Sequence, residues 1–320
     1  ALSGDFAKDV ISFILIVGLT IVNIFGVNVS KFVNNLITIS KLVPLALFIA
    51  IGIFFINGAN FTPVFPQDIY VDGSFAQAAV LLFFAYTGFE VIAIAAEDMK
   101  NPKKNLPRAI IMCMLLVSIL YMAILAVSIG VLGTDLANTK APVQDAFNVI
   151  VGPIGMYIVL VGTLISMGGI NFAEAYYAPR VATSMAEDGM LPSALAKRNR
   201  YNAPYIAAIV TAIASVLLAW SGSFTTLAAI SAVSRFTQYL PTCLAVIIFR
   251  RKWADKARSY TIPGGYLIPV IAIGTSLWML AQAQTNQLLW GLGGCIVILP
   301  FYYSYWKKKK AGLIKDHDEM

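Results

Sequence analysis

Three ionisable residues stand inside long apolar runs of this chain, at places where a charge is costly. Lys41 lies in ITISKLVPLALFI, Glu90 closes FFAYTGFE, and Arg235 lies in AISAVSRFTQYLP. Charged side chains in hydrocarbon pair with one another, exchange protons, or mark the path of an ion or substrate. The chemistry open to the three differs. Burial disfavours the charged form of an amine or a carboxyl, so Lys41 and Glu90 are candidates for taking up and releasing a proton. A guanidinium stays protonated, and Arg235 reads as a clamp on a carboxylate or on carbonyls rather than as a ligand group.

Beside Glu90 is a second chemical feature. Tyr86, Thr87 and Gly88 interrupt an otherwise apolar run about 13 residues from its start, near the middle of a segment long enough to cross a bilayer. A glycine there can mark a close helix contact. A polar break at mid-depth, followed at once by a carboxylate, points instead to a discontinuous helix. Its freed carbonyls and half-helix ends can hold a ligand where water reaches, and carbonyls at the C-terminal end of the outer half suit an ammonium.

Other chemistries are poorly served. The single histidine, His317, lies in the polar tail, and Cys113, Cys243 and Cys295 fall in apolar runs without metal or disulfide spacing. No metal site or Ser-His-Asp constellation can be assembled from these, so neither a metalloprotease nor a triad hydrolase is expected, and no cofactor is called for. A membrane enzyme would also need its acid, base or metal groups clustered near one interface, whereas Lys41, Glu90 and Arg235 are scattered at mid-depth positions.

The elements that must carry these residues are membrane helices. With 59% hydrophobic and 12% charged residues and a mean hydropathy of +0.77, the chain cannot clothe a water-soluble domain in polar surface. Nine runs are long and apolar enough to span: residues 6–25, 32–56, 75–96, 109–132, 154–179, 205–220, 224–249, 266–283 and 288–306. No linker separates domains, so one helical membrane domain over residues 1–320 is expected.

Connections alternate in charge. One set holds eighteen of the 23 Lys and Arg: Lys31, KNPKK with Arg108, KRNR at 197–200, RRKWADKAR at 250–258, and KKKK with Lys315. The other holds Lys8 and Lys140 with Asp5, Asp9, Asp68, Asp72, Asp135 and Asp145. By the positive-inside rule the C-terminus is cytoplasmic and, with nine spans, the N-terminus is outside. The net charge of +7 is thus a topology signal that also suits anionic lipid; nucleic acid would need it on one folded soluble face. FYYSYWKKKK reads as an aromatic belt and anchor. The chain starts at Ala1 without a basic-then-apolar leader, which fits a cleaved signal or a fragment of something longer.

FFAYTGFE followed by AEDMKNPKKNLPRAI resembles helix 6 and its following loop in the amino acid, polyamine and organocation transporter superfamily. INFAEAYYAPRVATSMAEDGMLPSALAKRNRYNAPY, residues 170–205, is similar to the end of helix 8 and the loop toward helix 9. The two lie in matching order, and the likeness covers essentially the whole chain. It implies a leucine-transporter-type inverted-repeat fold in an all-α polytopic membrane protein. The nine spans would be family helices 4 to 12: residues 1–60 end the first repeat, 61–250 form the second, and 251–320 hold helices 11 and 12 with the basic tail. Helices 1 to 3 would be missing, including the glycine-rich break that binds the substrate carboxylate.

The resemblance implies secondary transport of amino acids across the cell membrane, proton-coupled, with an exchanger or polyamine carrier as the alternative. A channel is more distant, since it would need a polar pore and a repeated filter. The main-chain carbonyls of Phe84, Ala85 and Thr87 would receive the substrate ammonium, with Gly88 letting the backbone leave helical geometry. Phe84 and Phe89 would wall the side-chain pocket or simply pack. Lys41, about ten residues from Lys31 and so some 15 Å deep, lies beyond easy snorkelling. It matches a helix 5 lysine of proton-coupled members, whose ammonium takes the place of sodium in sodium-coupled relatives; a permanent partnership with carbonyls is the other reading. Glu90 is a second candidate proton-responsive group or a structural carboxylate. Asn171 and Glu174 read as polar packing between helices and Arg235 as structural, while Arg180 and Glu187 belong to the cytoplasmic end. Amino acid, protons and lipids are the expected partners. Which amino acid, symport against exchange, and oligomeric state stay open.

Overall fold

The computed structural model describes residues 4–25, 31–62, 74–90, 92, 99–255, 258 and 260–310. Asp68, Asp72, Glu97, Asp98, Lys315 and His317 lie outside the described residues, and the side chains of Asp5, Lys31 and Cys295 are likewise outside them. All regular structure among the described residues is helical: α1 Gly4–Ile24, α2 Lys31–Gly52, α3 Ser74–Ala85, α4 Pro102–Leu132, α5 Pro142–Val151, α6 Pro153–Glu187, α7 Tyr205–Ser221, α8 Phe224–Lys252, α9 Leu267–Gln282 and α10 Thr285–Lys310, with short 3₁₀ turns between.

Among the described residues, six helical stretches are long and apolar enough to cross a membrane: Phe6–Ile24, Asn35–Phe55, Pro102–Asn138, Pro153–Glu187, Phe224–Lys252 and Thr285–Lys307. Phe75–Ala85, Tyr205–Ser221 and Leu267–Gln282 are apolar but shorter. Of the nine expected spans, six therefore have full helical length among the described residues and three are shorter there. The first of these three is short because the chain leaves the helix after Ala85. Many outward side chains are large and apolar, among them Phe54, Met112, Ile154, Phe224 and Trp290, which is the surface that lipid tails cover at no cost.

α5 was not expected. It is too short to span, starts on Pro142 with Asp145 in its first turn, and ends at Gly152, whose φ is +78°. Its buried residues, Ala146 and Phe147, explain why it forms: burial of one face, rather than length, holds it.

The chain divides into two compact units. One comprises Ala1–Val64, Met122–Gly222 and Pro300–Met320. Within it α2 and α5 pack on α6, and α1 packs on α7. Its core is Phe48, Val127, Ala146, Phe147 and Val159, with Phe48 and Phe147 edge to face at 5.7 Å. α2 and α6 approach closely at Gly162, where a Cβ would stand 2.6 Å from Pro44 Cγ and 2.8 Å from the Ser40 carbonyl oxygen. Small residues of this kind allow backbone-close packing where no hydrophobic force drives helices together.

The other unit comprises Phe65–Tyr121 and Ser223–Leu299. Here α3 packs on α8 and α9 through Val80, Ala229 and Ala232, with Phe83 stacked on Phe236 at 4.8 Å. This unit positions the broken helix.

Candidate functional site

α3 stops at Ala85, and Tyr86, Thr87 and Gly88 form a turn. Gly88 has φ +106°, a conformation that glycine adopts without strain and side-chain-bearing residues rarely enter, although among the described residues nothing lies within 4 Å of where its Cβ would be. Steric strain in the backbone, not lack of space, is what demands glycine here. After the turn the chain resumes as a tighter 3₁₀ segment at Phe89 and Glu90.

The groups freed by the break are redistributed. Thr87 folds back on Phe84: its amide and its hydroxyl both donate to the Phe84 carbonyl, at 3.1 and 2.7 Å. That oxygen has both lone pairs engaged. The Ala85 carbonyl accepts the Tyr121 hydroxyl at 3.0 Å and keeps one lone pair. The Gly88 amide, which in a continuous helix would bond to the Phe84 carbonyl, donates to Glu90 Oε2 at 2.8 Å instead. Of the three carbonyls expected to take an ammonium, Phe84 is thus saturated from within and Ala85 is half-occupied in this conformation.

Glu90 is the centre of the arrangement. Its Oε1 accepts from Arg235 Nη1 and, at 3.1 Å, from the Tyr239 hydroxyl. The ion pair is largely shielded, with the Glu90 side chain 15% exposed and that of Arg235 33%. Arg235 and Tyr239 are four residues apart, so they share one face of α8 and reach Glu90 together. Phe89 stacks on Tyr239 with centroids 5.8 Å apart, and Phe84 meets Phe224 edge to face at 6.0 Å. Both phenylalanines expected near a pocket thus lie against α8 aromatics.

The sequence pointed to Glu90 and Arg235 separately; what it missed was Tyr121 and Tyr239. The signal for Tyr239 was available in the i, i+4 spacing from Arg235, whereas nothing local distinguishes Tyr121.

The remaining candidates lie in the first unit. Lys41 is half-buried in α2, ten residues on from the helix start at Lys31, about 15 Å of helical rise. No hydrogen bond or ion pair among the described residues reaches it. On α6, Asn171 is exposed and donates to the Met167 carbonyl at 2.9 Å, and Glu174 is exposed. Arg180 donates to the Tyr176 carbonyl with its guanidinium 3.2 Å above that ring, and Glu187 pairs with Arg198 at 2.9 Å. Asn199, in the KRNR stretch read only for its charge, organises the connection after α6. Its Oδ1 accepts from the amides of Tyr201 and Ala203, and its Nδ2 donates to the Ile24 carbonyl at 2.7 Å.

A multi-pass helical membrane protein with one helix interrupted in an apolar run, and the interruption bound by a partly buried carboxylate, is the class that these features define. The chain belongs to the family described as amino acid permease, whose pattern matches residues 3–305. It is similar to the branched-chain amino acid permease BcaP of Bacillus subtilis strain 168, 29% identical over 316 residues that cover 96% of this chain and 66% of the relative. The methylthioribose transporter of the same organism is 29% identical over 288 residues, covering 88% and 61%. Its serine/threonine exchanger SteT is 29% identical over 316 residues, covering 96% and 72%. The chain spans a little under two thirds of the length of the first two.

Proposed function

We propose that this chain is part of a secondary active transporter that moves amino acids across the cell membrane, with protons as the coupling ion. The observation that carries the reading is the break at 86–88. It ends α3 inside an apolar run, turns main-chain groups out of the helical ladder, and is stabilised by side chains rather than by lipid-exposed amides, which hydrocarbon would not tolerate. The substrate ammonium is assigned to the carbonyls of Ala85 and Thr87 first. Phe84 becomes available when Thr87 releases it.

Nine crossings, counting the three shorter helices, a cytoplasmic C-terminus, and the repeat boundaries at 60 and 250 belong to the same reading. Eighteen basic residues on one set of connections support it. Lys41 is assigned the coupling role because it is a half-buried amine on an apolar helix. Glu90 is the second coupling candidate; its three hydrogen-bond donors favour the structural alternative, since each is lost or weakened when the carboxylate takes a proton.

Exchange is the second reading, favoured by the likeness to a serine/threonine exchanger. Proteoliposomes of the transporter decide. Accumulation of leucine, isoleucine or valine under an inward proton gradient supports symport. Uptake only when the vesicles are preloaded with amino acid supports exchange. Uptake of neither kind for branched-chain amino acids, serine or threonine overturns the substrate class.

A further inference from the structure

We propose that the cavity at the start of α4 is a binding site for the phosphate of an anionic phospholipid headgroup. Lys103, Lys104 and Arg108 of α4, with Tyr260 from the connection between α8 and α9, line a space of about 430 Å³.

Among the described residues the charge there has no counterpart. Lys104 and Arg108 are four residues apart and share a helix face, where like charges repel. The first turn of α4 carries no acidic residue, and the helix dipole adds further positive potential at that end. Among the described residues no carboxylate pairs with any of the three. The neighbouring arginines behave differently: Arg250 donates to the Ile262 carbonyl at 2.9 Å, and Arg258 to the Trp253 carbonyl at 3.0 Å. Those two bonds tie Ile262 and Arg258, on either side of Tyr260, to α8 and its C-terminal end. Positive residues near a span end suffice for topology; that role does not require three of them around one cavity with a phenol.

Position selects the ligand. From Ala109 onward α4 is apolar through Leu132, so the three cations sit where hydrocarbon gives way to the headgroup layer. A phosphodiester brings the acceptor oxygens that a guanidinium fork and two ammonium groups match, and its acyl chains can lie along the exposed Ile111, Met112 and Leu115 of the same helix. Basic pockets between helix ends are a recurrent way of holding such lipids.

The test compares thermal unfolding of the purified protein in neutral detergent with added phosphatidylglycerol, phosphatidylcholine or inorganic phosphate. Phosphatidylglycerol is expected to raise the wild-type Tm above the other two. That rise is expected to vanish in K103Q/K104Q/R108Q and persist in K307Q/K310Q, which removes two charges elsewhere. A wild type indifferent to lipid charge, a rise retained by the triple variant, or an equal rise with inorganic phosphate overturns the proposal. Should the triple variant fail to fold, a photoreactive phosphatidylglycerol replaces it. Crosslinks to residues 99–110 or to the peptide bearing Tyr260 support the site, and crosslinks found only elsewhere overturn it.

Discussion

Glu90 and Arg235, 145 positions apart in sequence, form an ion pair that fastens the break after α3 to the middle of α8. Because Glu90 also accepts the Gly88 amide, the guanidinium acts through one carboxylate on the backbone turn itself. Removing the partner would leave a shielded charge and loosen that turn.

Arg235→Gln is therefore expected to lower stability by about 2 kcal/mol, as does loss of a hydrogen bond to a charged group. Glu90→Gln should cost a similar amount, and the double variant less than the sum, because each single change strands the other charge. Melting curves of the four proteins measure the coupling. Strict additivity would mean that the pair contributes nothing.

Gly88→Ala tests the turn. With φ at +106° and open space around the position, the whole cost is conformational, about 1–2 kcal/mol. Transport should fall along with stability. Gly274→Ala, in the interior of α9 with nothing within 4 Å, is the comparison and should be neutral or stabilising by up to about 1 kcal/mol. Equal behaviour of the two variants would show that the turn is not required.

Gly162→Leu tests the packing of α2 on α6. A Cβ there already meets Pro44 and the Ser40 carbonyl oxygen, and backbone cannot move aside as a flexible side chain can. A loss of about 1–3 kcal/mol or more is expected from overpacking. Gly168→Leu, on the same helix with open space, should be tolerated. Thermal stability in detergent reads both.

Lys41→Ala separates coupling from binding. Accumulation driven by a proton gradient is expected to disappear while substrate binding survives, because the proposed ammonium contacts lie on the break after α3. Sodium is not expected to rescue it, since deleting an amine supplies no oxygen ligands for a cation. Uptake with and without a pH gradient, in sodium and in choline, gives the answer. Persistent proton-driven accumulation would make Lys41 structural.

Much of the molecule was legible locally. Apolar runs mark α1, α2, α4, α6, α8 and α10 because their surfaces face lipid and need no partner to specify them. Thr87 and Gly88 announced the break because only glycine enters that backbone region cheaply. α5 escaped notice since ten residues are too few to span, and what holds them is the burial of Ala146 and Phe147 against distant segments.

What the sequence by itself determined, then, was a helical membrane chain, the place where one helix breaks, and the identity of the charges inside it. These follow from side-chain transfer energies and glycine's backbone freedom, which act residue by residue. Only the tertiary structure decided that Arg235 and Tyr239 meet Glu90, that Tyr121 takes one lone pair of Ala85, and that Tyr260 joins Lys103, Lys104 and Arg108 around one cavity. A hydrogen bond or a cavity depends on ångström-scale placement of groups far apart in the chain, and composition and spacing carry no such distances.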